Sequence, residues 1–164
     1  MLARRLSPSL TLLRTRRFPA KFASSRLPFR VTAGIGGNVG DVARRFGHLL
    51  VFLGRDRHID VVATAPILRN PPFGFADQED FLNSVIVLHT DLQPAALMRR
   101  LLRIEKRFGR VRTFANAPRT LDIDILFFDG RRIDTPNLKI PHPHWRERES
   151  VLIPLSMLPS GGRP

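Results

Sequence analysis

The sequence predicts a mixed α/β (α+β) domain with helices packed on an antiparallel sheet. Two stretches carry apolar residues at helical spacing, and short runs rich in β-branched and aromatic residues stand between them. Glycine- and proline-containing turns punctuate the series. The balance of 43% hydrophobic and 25% charged residues is that of a globular chain, and 164 residues suffice for one core.

Taken in order, Val31–Gly37 is a short apolar strand that ends in the turn Gly36-Gly37-Asn38-Val39-Gly40. Asp41 can cap a helix running to about Arg55, with Val42, Phe46, Leu49, Leu50 and Leu53 on one face. His58–Leu68 alternates around Ile59, Val61 and Ala63 and reads as one strand. Asn70–Asp80 holds Pro71, Pro72 and Gly74 and reads as a loop. Phe81–Thr90 is the next strand, and Gln93–Phe108 a second helix with Leu97, Leu101, Ile104 and Phe108 on one face, stopped by Gly109. Arg110–Pro118 is a polar loop, Thr120–Phe128 a strand, and Asp129-Gly130 a hairpin signal. The order over residues 31–128 is thus β-α-β-β-α-β, the ferredoxin-like split unit, with both helices on one sheet face.

Residues 1–30 read differently. They hold seven arginines, one lysine and no acid, and so carry +8 of the formal +13. A transit peptide, a nucleic-acid-binding arm and a passive extension all fit that composition. The expectation is a disordered, dispensable extension ahead of a domain at 31–164. The absence of cysteine excludes a disulfide scaffold, a thiolate nucleophile and a zinc–thiolate site. No apolar run approaches the ~20 residues of a membrane helix. Arginine outnumbers lysine 24 to 3, and its planar fork grips phosphate in a way a lysine cannot. A phosphate-bearing partner and simple genomic base composition both account for the excess.

Three clusters carry chemistry. In Pro118–Phe128 the alternation of a strand puts Asp122 and Asp124 on one face and Leu121, Ile123 and Ile125 on the other. Adjacent carboxylates repel unless a cation lies between them, and Mg²⁺ is the hard cation suited to oxygen ligands beside phosphates. A solvated pair on an exposed strand is the alternative. Arg110, Arg112 and Arg119 bracket the pair, a layout suited to polyphosphate, although a solvated basic loop has the same composition. Pro141–Glu149 contains His142, His144, Arg146 and Arg148, which could reach a nucleotide phosphate or could mark a solvated helix start. Dinucleotide, phosphate-loop and RNA-binding aromatic motifs are all missing.

Together these segments resemble the 6-hydroxymethyl-7,8-dihydropterin pyrophosphokinase family. The likeness runs through Gly36–Asp41, Asn70-Pro71-Pro72-Phe73-Gly74, Asp80–Asn83, Ile104-Glu105 and Gly109–Arg112. It continues in Pro118–Asp124, Pro141-His142-Pro143, Arg148 and Ile153-Pro154-Leu155. The resemblance implies diphosphate transfer from MgATP to the pterin hydroxymethyl group with release of AMP. It implies Arg110 and Arg119 as catalytic arginines, and Asp122 and Asp124 as ligands of two Mg²⁺ ions. Glu105, Arg112, Ile125, His142 and Arg148 are implied on the ATP side, and Pro71, Phe73, Phe81 and Asn83 on the pterin side. ATP and the pterin are the partners so implied, for a cytoplasmic monomer (or one in an organelle matrix, were residues 1–30 a transit peptide). No membrane is involved, and a nucleic-acid partner is disfavoured. A non-catalytic nucleotide- or pterin-binding relative and a basic RNA-binding module are the alternatives. The sequence departs from the family pattern with Gly37 in place of a serine and Ser150 in place of a stacking aromatic. Phe114 or Asn116 stands where a tryptophan is common.

Overall fold

The computed structural model describes residues 1–159. Strands β1 (Leu2–Arg5), β2 (Thr11–Arg14), β3 (Ala20–Lys21) and β4 (Phe29–Gly37) precede helix α1 (Val42–Gly54). Then come β5 (Ile59–Thr64), β6 (Ile67–Asn70), β7 (Phe81–Thr90), α2 (Pro94–Arg107) and β8 (Asp122–Phe128). A small β9 (Ile133–Asp134) and β10 (Lys139–Ile140) pair, a 3-10 turn at Trp145–Glu147 and α3 (Glu149–Ser156) follow among the described residues. The main sheet has eight strands, with the path β1-β2-β6-β7-β4-β8; β5 pairs with both β7 and β3. Every pairing is antiparallel.

The two helices read from periodicity form as expected. Asp41 accepts from the Arg44 N–H at 3.1 Å and caps α1, and Val42, Phe46, Leu49, Leu50 and Leu53 are its buried residues. In α2 the buried stripe is Leu97, Leu101 and Ile104, and Gly109 follows in the left-handed conformation at φ +87°. Both stripes join Val31, Ala33, Ile35, Ile86, Leu88, Ile123 and Ile125 in one core on one sheet face. The alternate residues Val85 and Leu126 face the other way and pack, with Ala65, against Trp145, Val151 and Leu155 of the α3 region. The architecture is therefore an antiparallel sheet with α1 and α2 on one side and α3 on the other.

Three expectations are corrected. Residues 1–30 are not a disordered tail: β1 and β2 form a hairpin that pairs Thr11, Leu12 and Leu13 with Arg69, Leu68 and Ile67. Leu12, Leu13 and Phe18 are 1–2% exposed, and the Phe18 ring lies 5.8 Å from that of Phe46. The hairpin covers what would otherwise be a bare apolar edge on β6. Composition hid this, because the buried residues are few while every strand position of β1 is exposed. The single strand expected over His58–Leu68 is broken at Ala65-Pro66. Proline donates no ladder hydrogen bond, and the Ser84 hydroxyl, donating within 3.1 Å of both the Ala65 and Pro66 carbonyls, ties the corner to β7. The long edge of β7 is thereby shared, Ile86–Thr90 with β5 and Phe81–Asn83 with β6. Finally, Asp129 and Gly130 do turn, both at positive φ, but the next strand pairs with β10 rather than with β8. Among the described residues no helix is long and apolar enough to cross a membrane.

Candidate active site

The sheet face shared with α3 is uncovered at one end, and the strand registers align the polar residues there. Asp122, Gly36 and Asn83 lie side by side on β8, β4 and β7, with Asp124, Gly34 and Val85 in the next same-face row. Gly36 is needed in that row, since a Cβ there would collide with the side-chain oxygens of Asn83 and Asp122. Asn83 donates to the Asn70 side-chain oxygen at 2.7 Å. The expected same-face placement of Asp122 and Asp124 is what β8 produces.

β8 is an edge strand, and α2 reaches it through Glu105. This carboxylate is 2% exposed. Its Oε2 accepts from the Ile123 N–H at 2.8 Å, standing in for a missing neighbour strand, and its Oε1 accepts from Arg112 at 3.1 Å. Burial raises its pKa, against the opposing pull of the Ile123 N–H, Arg110 and Arg112. Arg110 is central to an alternating charge chain. Its Nη1 donates to the Leu121 carbonyl at 3.2 Å and lies 4.0 Å from Glu105 and 3.9 Å from Asp122. Arg119 ends the chain with a 2.9 Å ion pair to Asp122, and its guanidinium covers the Phe81 ring at 5.0 Å.

Asp124 lacks such an arginine partner. Solvent reaches it, yet it sits at the foot of a cleft, and desolvation by the cleft walls, then Asp122 and Glu105, push its carboxyl up to about 6. Two aspartates on one strand face, one of them without an arginine partner, leave negative charge that a bound cation would offset. Among the described residues no group of three or more His, Asp or Glu side chains forms an all-protein metal cage. Two aspartates with oxygen donors only, beside a cleft that Arg112 and His142 also line, fit Mg²⁺, which usually takes one or two carboxylates and leaves other positions to water and phosphate.

The cleft has a volume of about 370 Å³. Glu105, Arg112, Asp124, Ile125 and His142 all line it, so three stretches of the chain, 105–112, 124–125 and 142, meet there. Met98, Leu101, Leu102 and Leu138 supply an apolar wall. Of the α2 part of that wall, helical periodicity marks only Leu101, and only as core. His142 is held neutral: burial, then Arg148 and His144, lower its pKa. Its Nδ1 accepts from the His144 N–H at 3.2 Å, which leaves Nε2 as the donor. Arg148 is exposed and does not line the cleft, although its charge acts on both Asp124 and His142.

The remaining residues are more scattered. Phe81 is buried beneath Arg119, whereas Pro71 and Phe73 lie exposed on the 71–80 loop, Phe73 to 81%. Phe75 on that loop meets Phe114 edge-on at 5.3 Å, which joins it to the 110–118 loop. Sequence reasoning missed Asn38, Arg45, Asn70 and Gln78. Arg45 donates to the Val39 and Thr120 carbonyls at 2.6 and 2.9 Å and pins the turn after β4 to the start of β8. Gly37 belongs to the same stitch: a Cβ there would lie 2.6 Å from the Thr120 carbonyl oxygen, so serine would not fit this backbone. Asn38, Asn70 and Gln78 sit in or beside glycine- and proline-rich turns, and Asn38 and Asn70 within the family-like segments; Arg45, on the first turn of α1, carried no signal.

Edge-strand carboxylates, converging arginines and an adjoining half-apolar cleft define an α/β domain built to handle a nucleotide polyphosphate. Sequence comparison makes the assignment specific. The family model described as 7,8-dihydro-6-hydroxymethylpterin-pyrophosphokinase matches residues 32–160, and the chain belongs to that family. It is 38% identical over 144 residues to the 2-amino-4-hydroxy-6-hydroxymethyldihydropteridine pyrophosphokinase of Campylobacter jejuni, covering 87% of this chain and 92% of the relative. The protein of the same name from Helicobacter pylori is 39% identical over 150 residues, covering 89% and 91%. That from Pseudomonas aeruginosa is 40% identical over 129 residues, covering 79% and 80%. The first two alignments are longer than the family match, and few residues follow 160, so both extend into the N-terminal thirty residues.

Proposed function

We propose that the protein transfers a diphosphoryl group from ATP to 6-hydroxymethyl-7,8-dihydropterin, releasing AMP, as a step of folate biosynthesis. Family membership supports the reaction, and the observation that carries the residue assignments is the charge chain of Arg119, Asp122, Arg110 and Glu105, which runs from Phe81 to the cleft lined by Glu105, Asp124, Ile125 and His142. The ferredoxin-like unit belongs to this reading. The sheet neighbours β5, β7, β4 and β8, linked by α1 and α2, support it, with β6 as an insertion.

In the reaction the pterin hydroxyl oxygen attacks the β-phosphorus, the bond from that phosphorus to the α–β bridging oxygen breaks, AMP leaves, and the hydroxyl proton is lost. Asp122 and Asp124 would hold two Mg²⁺ ions, whose charge would offset that of the triphosphate. The Ile125 edge and the leucine wall would take the adenine, and His142 Nε2 and Arg148 would donate to phosphate. Arg112 is held at the rim by Glu105. Arg110 and Arg119 would exchange Asp122 for phosphate oxygens, following the charge as it moves onto the leaving AMP. Asn83 would hydrogen-bond the pterin edge, and Phe81 offers the ring on which it stacks once Arg119 has swung away. Pro71 and Phe73 would close from the 71–80 loop.

The test is AMP release by the full chain with MgATP, with and without the pterin. Pterin-dependent AMP formation is expected. Binding of both ligands without AMP would overturn the catalytic reading.

A further inference from the structure

Asn38 is 6% exposed, and its backbone N–H, its Oδ1 and both Nδ2 hydrogens are all engaged with the segments that carry the charged groups above. Its N–H donates to the Arg119 carbonyl at 2.9 Å, and its Oδ1 accepts from the Arg119 N–H at 2.9 Å. The backbone of Arg119 is thus gripped on both sides. The two remaining donors, both on Nδ2, go to Gln78 Oε1 and the Glu79 carbonyl, each at 2.9 Å. Gln78 then donates from Nε2 to the Phe75 carbonyl at 2.6 Å and the Asn116 carbonyl at 2.9 Å. One asparagine and one glutamine therefore join three segments: the turn after β4, the 71–80 loop and the 110–119 loop.

From this we infer that Asn38, acting through Gln78, is a positioning residue that makes the 71–80 loop and the Arg119 segment move as one body. Placement of the acceptor substrate beside Phe81 is thereby coupled to placement of the Arg119 guanidinium. The kinetic part of this inference rests on the proposed reaction; the mechanical part does not. The N–H bond to Arg119 survives any substitution but proline; the three side-chain bonds need the amide. Asp keeps the acceptor for Arg119 but sets a second oxygen against two acceptors, and Ala loses all three.

The test uses Asn38→Asp and Gln78→Ala, singly and together, in the full chain. Each single variant is expected to raise KM for the pterin about tenfold, equivalent to about 1.4 kcal/mol, with KM for ATP unchanged. The double variant is expected to equal either single one, because both break the same arm. Amide hydrogen exchange of the ligand-free proteins is the independent readout. Gln78→Ala lies outside the Arg119 grip, yet it should speed exchange at residues 114–120 as well as at 75–80. Additive KM effects, or faster exchange confined to 75–80, would overturn the coupling. A wild-type protein that released no AMP would instead overturn the reaction, and exchange alone would still decide the coupling. Should Asn38→Asp fail to fold, Gln78→Ala and Gln78→Glu decide the same question from a half-buried position.

Discussion

Asp124→Asn should make the ligand-free protein more stable at neutral pH while removing its response to MgATP. The carboxyl is held at about 6 in the fold against a reference of 3.8, through desolvation first and then Asp122 and Glu105. A carboxylate raised in the fold costs stability above its folded pKa, and the cost vanishes below the unfolded value. Wild-type stability from this group therefore falls as pH rises from about 4 to about 6. A rise from 3.8 to about 6 corresponds to at most about 3 kcal/mol. Because solvent reaches Asp124, screening reduces the expected gain on neutralisation to ~1 kcal/mol. Urea denaturation in EDTA measures it, at about pH 8 and again near pH 4.5, where the difference should have shrunk. Adding MgATP should stabilise the wild type and leave the variant nearly unmoved. A variant less stable than wild type in EDTA at pH 8, or one that keeps the full MgATP response, would refute the account of Asp124 as a strained cation ligand.

Other perturbations separate site from scaffold. Arg119→Ala should cut AMP formation about a hundredfold, the scale for losing one preorganised donor, while the fold, read by circular dichroism, is retained. Glu105→Ala leaves the Ile123 N–H and Arg112 without their partner, and should lower stability by ~1–3 kcal/mol in urea; an unchanged midpoint would remove Glu105 from its bracing role. Phe18→Ala opens a cavity beside Phe46 and should cost ~3–5 kcal/mol, whereas a passive tail would show no change.

Local patterns made much of this protein legible. The stripes Val42–Leu53 and Leu97–Ile104 needed only the helical period, and the common face of Asp122 and Asp124 needed only the strand period, because both are properties of neighbouring residues. The α3 helix was less visible, being eight residues long with Pro154 inside it. The charge chain from Glu105 to Asp122 was suggested by its arginines, but its order was set by α2 docking against an edge strand.

What the sequence determined by itself was the alternation of elements and the chemistry each carries, since periodicity, capping and residue type act within a few positions. Tertiary structure alone decided that an arginine-rich N-terminus would become sheet. It also decided that Arg119 would lie over Phe81, and that Asn38 would grip a segment 81 residues away. Those outcomes depend on which edges and buried polar groups remain unpaired once the sheet has formed, and no window of neighbouring residues contains that information.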